Sequence, residues 1–397
     1  MSNEWESVAL KDALSRIQSG YWGEEHPTEE RSNMVRVIRN ADVTRDGRRK
    51  SFAVRALSNR EREKSALTVG DIALAASGEV GKAWLVDEDG YHVTNFLKRL
   101  TVNPSVARPE FVRYLLDWEP LKRDMAAHTG GSAIQNLRRS FFESVSVALP
   151  PLAEQRRIAD LLGSVDGYID SLQTQVEVTR AARSALLAEL LSDQSNDWSE
   201  SVIGEVVSLQ RRRIDPTRLG EDVKLLHWSI PGLDATGGPL SESASQIGSH
   251  KFQLSSDCVL LSLLNPRIPR YAIAEGGSDV VCSTEFAALT PKDAISLHFL
   301  ACIVSAPAFL QQVLGLAQGT TKSRERVKPS DLLALPIRLP DLSEQQRIVH
   351  LISSIDRQVS SLESLIDSAQ SLRSGILSQL LSGERLLDES YDVAVSP

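Results

Sequence analysis

The chain has 397 residues, enough for two or three domains, and 42% of them are apolar, as is usual for a globular protein. Three cysteines and seven scattered histidines show no disulfide framework and no metal-ligand spacing, and the net charge of −8 argues against a nucleic-acid binder that works alone, since such proteins are usually basic. The first twenty residues are polar, and no apolar run approaches the ~20 residues of a membrane span. We therefore expect a cytoplasmic protein with reduced thiols and no membrane partner.

Residues 1–149 are predicted to form a first domain of mixed α and β structure. Short runs of β-branched and aromatic residues between turn residues predict strands, and longer charged or amphipathic runs predict helices. Strands are expected at 35–38, 69–74, 82–86, 96–102 and 145–149, helices at 56–64 and 109–127, and a basic turn at 45–50.

Residues 150–196 contain a long predicted helix. Its seam residues alternate four and three positions apart, an average spacing of 3.5 that keeps one stripe facing one partner over many turns. About 40 residues at 1.5 Å each make this helix roughly 60 Å long. The seam consists of Ile158, Leu162, Val165, Ile169, Leu172, Val176, Thr179, Arg183, Leu186 and Leu190.

Residues 197–339 are predicted to form a second α+β domain with the same order of elements. Strands are expected at 257–262, 280–286 and 335–339, and helices at 297–306 and 308–316. The polar loop at 319–327 takes the place of the glycine loop at 130–132 in the first domain.

Residues 340–397 carry a second long helix and a tail. Pro340 stands before this helix, as Pro151 stands before the first, and proline is tolerated at that place. Ser343 and Gln346 are expected to form a capping box, which Ala153 cannot do in the first helix. The second seam consists of Ile348, Ile352, Ile355, Val359, Leu362, Ile366, Ala369, Arg373, Ile376 and Leu380.

The two helices are copies of one segment. Residues 152–192 align with 342–382 without a gap, and sixteen of the 41 positions are identical. Such self-similarity indicates a chain of two related halves. If the seams pair, the second helix runs antiparallel to the first. The predicted fold class is then α+β, with two mixed domains separated by two long antiparallel helices in a coiled coil and related by an approximate two-fold axis. Alternatively each helix packs only on its own domain, although a core-facing helix usually has a wider apolar stripe.

Motifs that would support catalysis are incomplete. Residues 78–82 resemble a phosphate-binding loop, but Ala76 and Ala83 replace the glycine and the Ser/Thr that the motif requires, so a hairpin turn is favoured. The segment from Asn265 to Arg267 lacks the second proline of a methyltransferase motif. The sequence therefore favours a binding protein over an enzyme.

Clusters of basic residues suggest contact with DNA. Arginine and lysine bind phosphates, arginine also forks onto guanine edges, and Gln or Asn pairs with adenine. For any single residue, a solvated charged loop is an equally good explanation. The candidates in the first domain are Arg45, Arg48, Arg49, Lys50, Gln135, Asn136, Arg138 and Arg139. Those in the second domain are Arg211, Arg212, Arg213, Lys322, Arg324, Arg326 and Lys328.

The whole chain resembles the specificity (S) subunit of type I restriction–modification systems. The resemblance rests on two variable α+β domains that alternate with helices opening on Leu-x-Glu-Gln-x-Arg-Ile, at 152–158 and 342–348, and on the segments at 282–286 and 319–322. The first domain departs from the pattern, because Asn95-Phe96 replaces Ser-Thr-Glu-Phe and a Gly-Gly-Ser-Ala segment replaces the loop lysine.

The resemblance implies a DNA-recognition role without catalysis in this chain. Each domain would be a target-recognition domain for one half of a bipartite double-stranded sequence. The helical pair would act as a spacer and dock two methyltransferase (M) subunits, joined by restriction (R) subunits. S-adenosylmethionine, ATP and Mg would belong to those partners. The residues expected at the helix–helix and subunit contacts are Leu152, Glu154, Gln155, Ile158, Leu162, Val165, Ile169, Leu172, Leu342, Glu344, Gln345, Ile348, Ile352, Ile355, Val359 and Leu362.

Three other functions stay open at this point. One is a coiled-coil adaptor or scaffold without a DNA role, and another is an orphan S subunit without a working partner. The third, an enzyme with an unrecognised site, ranks below both.

Overall fold

The computed structural model describes residues 5–130, 136–192, 197–220, 222–319 and 324–387. The chain divides into two compact units. Unit 1 consists of Met1–Ser171 and Leu365–Pro397, and unit 2 consists of Leu172–Ser364. Each unit therefore contains one predicted domain together with parts of both long helices.

The first domain, in unit 1, contains short strands and short helices. The strands are β1 (Glu6–Ala9), β2 (Leu14–Ser19), β3 (Asn33–Ile38), β4 (Ala53–Leu57), β5 (Ile72–Ala75), β6 (Ala83–Leu85), β7 (Tyr91–Val93), β8 (Leu97–Val102), β9 (Thr129–Gly130), β10 (Asn136–Leu137) and β11 (Ser146–Leu149). The helices are α1 (Asn59–Ser65), α2 (Pro109–Asp117), α3 (Glu119–Ala127) and α4 (Ser140–Ser144), and the first long helix is α5 (Leu152–Leu191). An antiparallel sheet has the order β2-β8-β5-β6, a second sheet has the order β4-β3-β7 with β3 parallel to β7, and β1 pairs with β11.

The main core of unit 1 lies between its four-stranded sheet and the helices. Ile72 and Leu100 of the sheet belong to the same buried cluster as Phe111 of α2. That cluster also contains Ile158 of α5, and Leu380 from the far end of the second long helix. Both long helices therefore complete the core of this domain.

The second domain, in unit 2, follows a similar plan, but its second sheet has five strands where that of the first domain has three. The strands are β12 (Ser199–Val202), β13 (Val207–Leu209), β14 (Arg213–Ile214), β15 (Lys224–Trp228), β16 (Leu240–Ser243), β17 (Lys251–Gln253), β18 (Cys258–Ser262), β19 (Tyr271–Ala274), β20 (Val280–Ser283), β21 (Phe286–Pro291) and β22 (Pro336–Leu339). The helices are α6 (Ile203–Val206), α7 (Ile230–Thr236), α8 (Leu297–Ser305), α9 (Pro307–Gly315) and α10 (Pro329–Leu333), and the second long helix is α11 (Leu342–Leu381). The sheets have the orders β13-β21-β18-β19 and β14-β17-β20-β15-β16, with β15 parallel to β20, and β12 pairs with β22. Leu187 of α5 and Ile348 of α11 lie in the core beside Phe299.

The seam prediction is confirmed within each unit. In unit 2, Arg183 of α5 pairs with Asp356 of α11 at 2.5 Å, and Arg180 of α5 pairs with Glu363 of α11. A lower residue number in α5 pairs with a higher one in α11, so the two helices are antiparallel. In unit 1, Arg373 of α11 lies 2.5 Å from Asp166 of α5. The two segments are therefore antiparallel partners in both units, which contradicts the alternative that each helix packs on its own domain alone.

Most seam side chains are buried or half-buried. Leu342, which the sequence placed among the helix–helix and subunit contacts, lies before the seam and is 51% exposed. Arg183 and Arg373 occupy seam positions as ion-paired residues. The fully or nearly buried seam residues are Ile158, Leu162, Ile169, Leu172, Val176, Ile348, Ile352, Val359, Leu362, Ala369 and Leu380, and Val165 and Ile355 are half-buried.

The capping box predicted for the second helix is wrong. Asp341 precedes the helix, and its carboxylate accepts the backbone N–H of Glu344 at 2.8 Å. Ser343 lies inside the first turn and donates its hydroxyl to the same carboxylate at 2.7 Å. Aspartate is among the strongest N-cap residues, so it takes the role expected of serine.

Several predicted elements of the two domains need correction. The helix expected at 109–127 is two helices that meet at Trp118, because Pro120 fits the first turn of a new helix but not the interior of a long one. Residues 56–57 end β4, and α1 starts at Asn59 with Ser58 as its cap. The strand expected at 69–74 starts at Ile72, and the one expected at 280–286 is two strands separated by a turn.

Among the described residues, no single helix has the length and apolar composition to cross a membrane, although α8 and α9, bent by 66°, pass that test as a pair.

Candidate nucleic-acid interface

Two basic clusters of unit 2 line one groove. Arg213 lies on β14, which pairs with β17, and its guanidinium lies 6.0 Å from the ring centre of Phe252. Arg211 and Arg213 line an open groove of about 790 Å³ together with Arg326 and Lys328 from a loop more than 100 residues later in the chain. The fold therefore brings together basic residues that the sequence presents as separate clusters.

A hairpin supports the later of these clusters. Residues 263–270 connect β18 to β19, and Leu264 forms a β-bridge with Arg326. Asn265 adopts a left-handed conformation with φ 49°, and its N–H donates to the carbonyl of Glu325 at 2.8 Å. Asparagine tolerates this conformation better than most residues. The side chain of Arg326 is also fixed, since it forks onto Glu285 at 2.8 and 3.0 Å.

The remaining basic side chains of this region face solvent. They form no ion pair with a described residue, so their full charge is available to an anionic ligand. They are Arg211, Arg212, Arg213, Arg324 and Lys328. Lys322 and Gln135 lie outside the described residues.

Sequence reasoning missed Arg267, which pairs with the loop that carries the later basic cluster. It lies at the tip of the supporting hairpin, is half-exposed and pairs with Glu325 at 2.8 Å. The signal was its place between two predicted strands, at 257–262 and 280–286.

The basic turn of unit 1 is more firmly paired. Arg45 binds Glu79 at 2.7 Å, although its side chain is 88% exposed. Arg48 binds Asp46 at 3.0 Å and also contacts Asp170 of α5. Lys50 is exposed and forms no ion pair with a described residue.

Arg49 has a different role from its neighbours. Its guanidinium stacks on Tyr91 at 4.3 Å and pairs with Glu88 at 3.3 Å, and its side chain is only 22% exposed. A cation stacked on an aromatic face contributes to packing. We therefore assign Arg49 to the support of the turn, and its contact with DNA stays a prediction.

The hairpin loop at 76–82 connects the basic turn to the second cluster of unit 1. Glu79 binds Arg45, and Ser77 forms a β-bridge with Asn136. Lys82 donates to the carbonyl of Asn40 at 2.9 Å, which is a structural role. The loop joins the antiparallel strands β5 and β6, so the hairpin prediction is confirmed.

The two arginines of the second cluster lie close to the backbone or to an acid. The guanidinium of Arg138 lies close to Gly130, at 2.3 Å from where a Cβ would stand. Arg139 is 83% exposed and pairs with Glu143 at 3.1 Å.

The duplicated glutamines connect each long helix to its own domain. Gln155 accepts the N–H of Arg108 at 2.9 Å and donates to the carbonyls of Val106 and Pro150 at 3.1 and 2.9 Å. Gln345 accepts the N–H of Ser296 at 2.9 Å and donates to the matching carbonyls at 2.9 and 3.2 Å. Both side chains are completely buried. The prediction that they contact the other helix or a partner subunit is therefore wrong.

The two glutamates of the motif differ in their surroundings. Glu154 is buried, and this burial raises its pKa. Glu344 is more exposed and pairs with Arg347 at 2.6 Å, which lowers its pKa. Both copies of the motif therefore keep the buried glutamine, but the pKa of the glutamate is raised in the first copy and lowered in the second.

The cysteines are buried thiols. Burial raises the pKa of Cys258 to about 12 and that of Cys302 to about 11, so both stay protonated at neutral pH. All three cysteines are free. The described residues contain no group of three or more His, Cys, Asp or Glu side chains arranged to hold a metal ion.

A protein-family model matches both halves of the chain. The model is described as the type I restriction modification DNA specificity domain, and it matches residues 2–179 and again residues 195–369. The chain belongs to this family. The two specificity domains coincide with the two α+β domains and extend into the long helices.

Individual members of the specificity-domain family are distant relatives. The MjaVIII specificity subunit of Methanocaldococcus jannaschii is 21% identical over 285 residues, which are 66% of this chain and 67% of that protein. The EcoBI specificity subunit of Escherichia coli is 22% identical over 297 residues, 65% of this chain and 62% of that protein. The chain thus spans about two thirds of the length of these relatives.

Solved structures agree on the fold. A chain from a study of complex assembly and conformational transition of the type I R-M system has a TM-score of 0.57 and 19% identity, with 96% of this chain and 98% of that chain covered. At this identity the likeness shows the fold of the specificity domains and nothing finer.

Proposed function

We propose that this chain is the DNA-specificity subunit of a type I restriction–modification complex. Its two recognition domains would each bind one half of a bipartite double-stranded target. The observation that carries the proposal is the pairing of two specificity domains with a groove in unit 2 where arginines and lysine converge. Exposed arginines suit phosphates and guanine edges, and neighbouring amide side chains suit adenine.

Catalysis would belong to partner subunits. Two M subunits would bind S-adenosylmethionine and methylate adenine, and R subunits would use ATP and Mg. The partners would also reconcile a chain of net charge −8 with DNA binding, because they can supply cationic surface around the duplex.

The paired helices would set the distance between the two half-sites and dock the M subunits. The exposed faces of α5 and α11, and not their buried glutamines, are then available for docking. Exposed apolar side chains on these faces include Tyr168, Val178, Leu365 and Leu372.

Co-expression with a candidate M subunit, followed by genome-wide mapping of methylated adenine, tests the proposal. A split motif with a fixed spacer is expected. Absence of any split motif from an assembled, S-adenosylmethionine-binding complex would overturn the proposal and favour an orphan subunit or an adaptor.

A salt titration separates DNA recognition from the adaptor alternative. Affinity for DNA should fall steeply between 50 and 200 mM salt, since each neutralised phosphate releases counterions. The triple variant Arg211→Gln, Arg213→Gln, Lys328→Gln should flatten that slope, and Lys11→Gln, which removes an exposed lysine outside the basic clusters, should not.

A further inference from the structure

A buried charge network connects the two long helices to the first domain in unit 1. Asp166 of α5 accepts the hydroxyl of Tyr114 at 2.9 Å and pairs with Arg373 of α11 at 2.5 Å. Arg373 also reaches Asp117, the last residue of α2, at 3.0 Å. Burial next to Asp166 raises the pKa of Tyr114, so the phenol stays protonated and donates. One arginine thus joins three helices.

The network continues to the basic turn. Arg113 of α2 lies 3.7 Å from Asp166 and donates its other nitrogen to the carbonyl of Asp46, inside the turn. A Cβ on Gly47 would lie 2.5 Å from the Arg113 guanidinium, and Gly47 has φ 81°, so glycine permits this approach. A second route runs from Arg48 of the turn directly to Asp170 of α5.

The described residues of unit 2 contain the ion pair without the network. Arg183 and Asp356 occupy the positions of Arg373 and Asp166 in the duplicated helices. The glutamine anchors align Arg108 with Ser296. Residues Arg113, Tyr114 and Asp117 therefore correspond to Ala301, Cys302 and Ser305, none of which carries a charge at neutral pH.

We infer that Arg113, Asp166 and Arg373 act as positioning residues that fix the basic turn of the first recognition domain to the paired helices. The inference rests on the proposed function and adds to it a difference between the two half-sites. The first half-site would be contacted by a turn held in place by the helices, whereas the basic groove in unit 2 lacks this connection among its described residues.

The side chains of the network are largely buried. The side chains of Arg113, Asp117 and Arg373 are only 9, 14 and 15% exposed. Removal of one partner from such a cluster leaves the others charged and unpaired, which is strongly unfavourable. The turn therefore has few alternative positions while the network is intact.

The test uses the full chain assembled with its M subunit, and a library of duplexes with randomised half-sites and spacers one base pair shorter or longer. Arg113→Met removes the connection to the turn while the Asp166–Arg373 pair stays intact. Discrimination at one half-site, or between spacers, should fall about tenfold. Arg183→Met is the matched control and should leave discrimination at both half-sites unchanged.

Two further variants distinguish a loss of positioning from a folding defect. Arg48→Met breaks the second route at a half-exposed site and should relax the same half-site as Arg113→Met. Arg113→Lys keeps a donor for the Asp46 carbonyl and should restore part of the discrimination. A purely structural role would lower methylation of all duplexes by one factor and would not single out one half-site.

The outcomes separate the two proposals. If the wild-type complex methylates split sites and both Arg113→Met and Arg48→Met keep full discrimination, the positioning role is refuted and the proposed function stands. If the wild-type complex has no preference for split sites, the proposed function fails and this inference fails with it.

Discussion

The two units have a similar fold, but their basic residues differ in whether they form ion pairs. In unit 2, the arginines before and within β14 are exposed and form no ion pair with a described residue. In unit 1, Arg45 and Arg48 are bound to carboxylates and Arg49 is stacked on Tyr91. An ion-paired arginine must exchange partners to bind a phosphate, whereas an unpaired one gives its full electrostatic contribution. Among the described residues, the basic groove of unit 2 therefore carries more unpaired positive charge, whereas the basic turn of unit 1 is held by ion pairs and stacking.

The largest effect on methylation is expected from an insertion of equal length into both long helices. Insertion of seven residues after Gln175 and after Leu365 preserves the seam register and adds about 10.5 Å. The target with the original spacer should lose its specific methylation, a factor of ~10³ or more. A target with about three more base pairs in the spacer, at ~3.4 Å each, should gain it.

Methylation mapping of the inserted variant checks this prediction. Both half-site sequences should stay unchanged, since neither recognition domain is altered. A four-residue insertion at each place is the control, because it breaks the seam register. An unchanged spacer in the seven-residue variant would mean that the helices do not set the distance.

Replacement of basic residues should lower the affinity for DNA more in unit 2 than in unit 1. The unit 2 triple variant Arg211→Gln, Arg213→Gln, Lys328→Gln should lower affinity for DNA about 100-fold at low salt and reduce the salt slope by about 2.7. The unit 1 variant Arg45→Gln, Arg48→Gln, Lys50→Gln should lose less, because two of its charges are already paired. Fluorescence anisotropy with the assembled complex measures both, and equal losses would contradict the comparison.

The glutamine anchors should contribute equally in the two units. Gln155→Leu or Gln345→Leu leaves one buried N–H and two carbonyls without partners, so the free energy of unfolding should fall by about 3 kcal/mol. Thermal unfolding of each variant measures the loss. Gln346→Leu, at the exposed neighbouring position, is the control and should change stability by less than about 0.5 kcal/mol. A large difference between the two anchors would show that the copies have diverged in function.

A smaller, pH-dependent difference is expected from His92 of unit 1. Burial lowers the pKa of His92 to about 4, from 6.5 in an unfolded chain. The unfolded state therefore binds more protons below pH 6.5, and this contribution to stability is present above pH 6.5 and is lost as the pH falls toward 4. The loss should reach about 2 kcal/mol at pH 4.5. His92→Gln should remove this part of the pH dependence in denaturant unfolding, and an unchanged pH profile would refute the assignment.

The long helices could be predicted from the sequence because two independent signals coincide. Proline marks each start, and the gap-free duplication shows the four-three alternation twice. Both helices have the expected bounds, from Leu152 and Leu342 onward. By contrast, many strands have only two to four residues, too few to show an alternation, which explains why β9, β14 and β17 were not predicted.

The site could be predicted only in part. Sequence clusters identify basic residues but not which of them share a groove, since Arg213 and Lys328 meet only through the pairing of β14 with the sheet and the path of a distant loop. Nor does the sequence reveal that Arg49 stacks on Tyr91, because the partners are 42 positions apart. Gln155 was marked by its duplication, but its partners are backbone groups, which carry no sequence signal.

The attachment of each recognition domain to the long helices has a consequence for evolution. In each domain, one loop offers an N–H and a carbonyl to the duplicated glutamine of its long helix, and apolar residues near the ends of both helices join the core. The backbone N–H and carbonyl groups of this loop are present whatever side chains the loop carries. A different domain whose loop offers the same two backbone groups would therefore fit the start of the same helix.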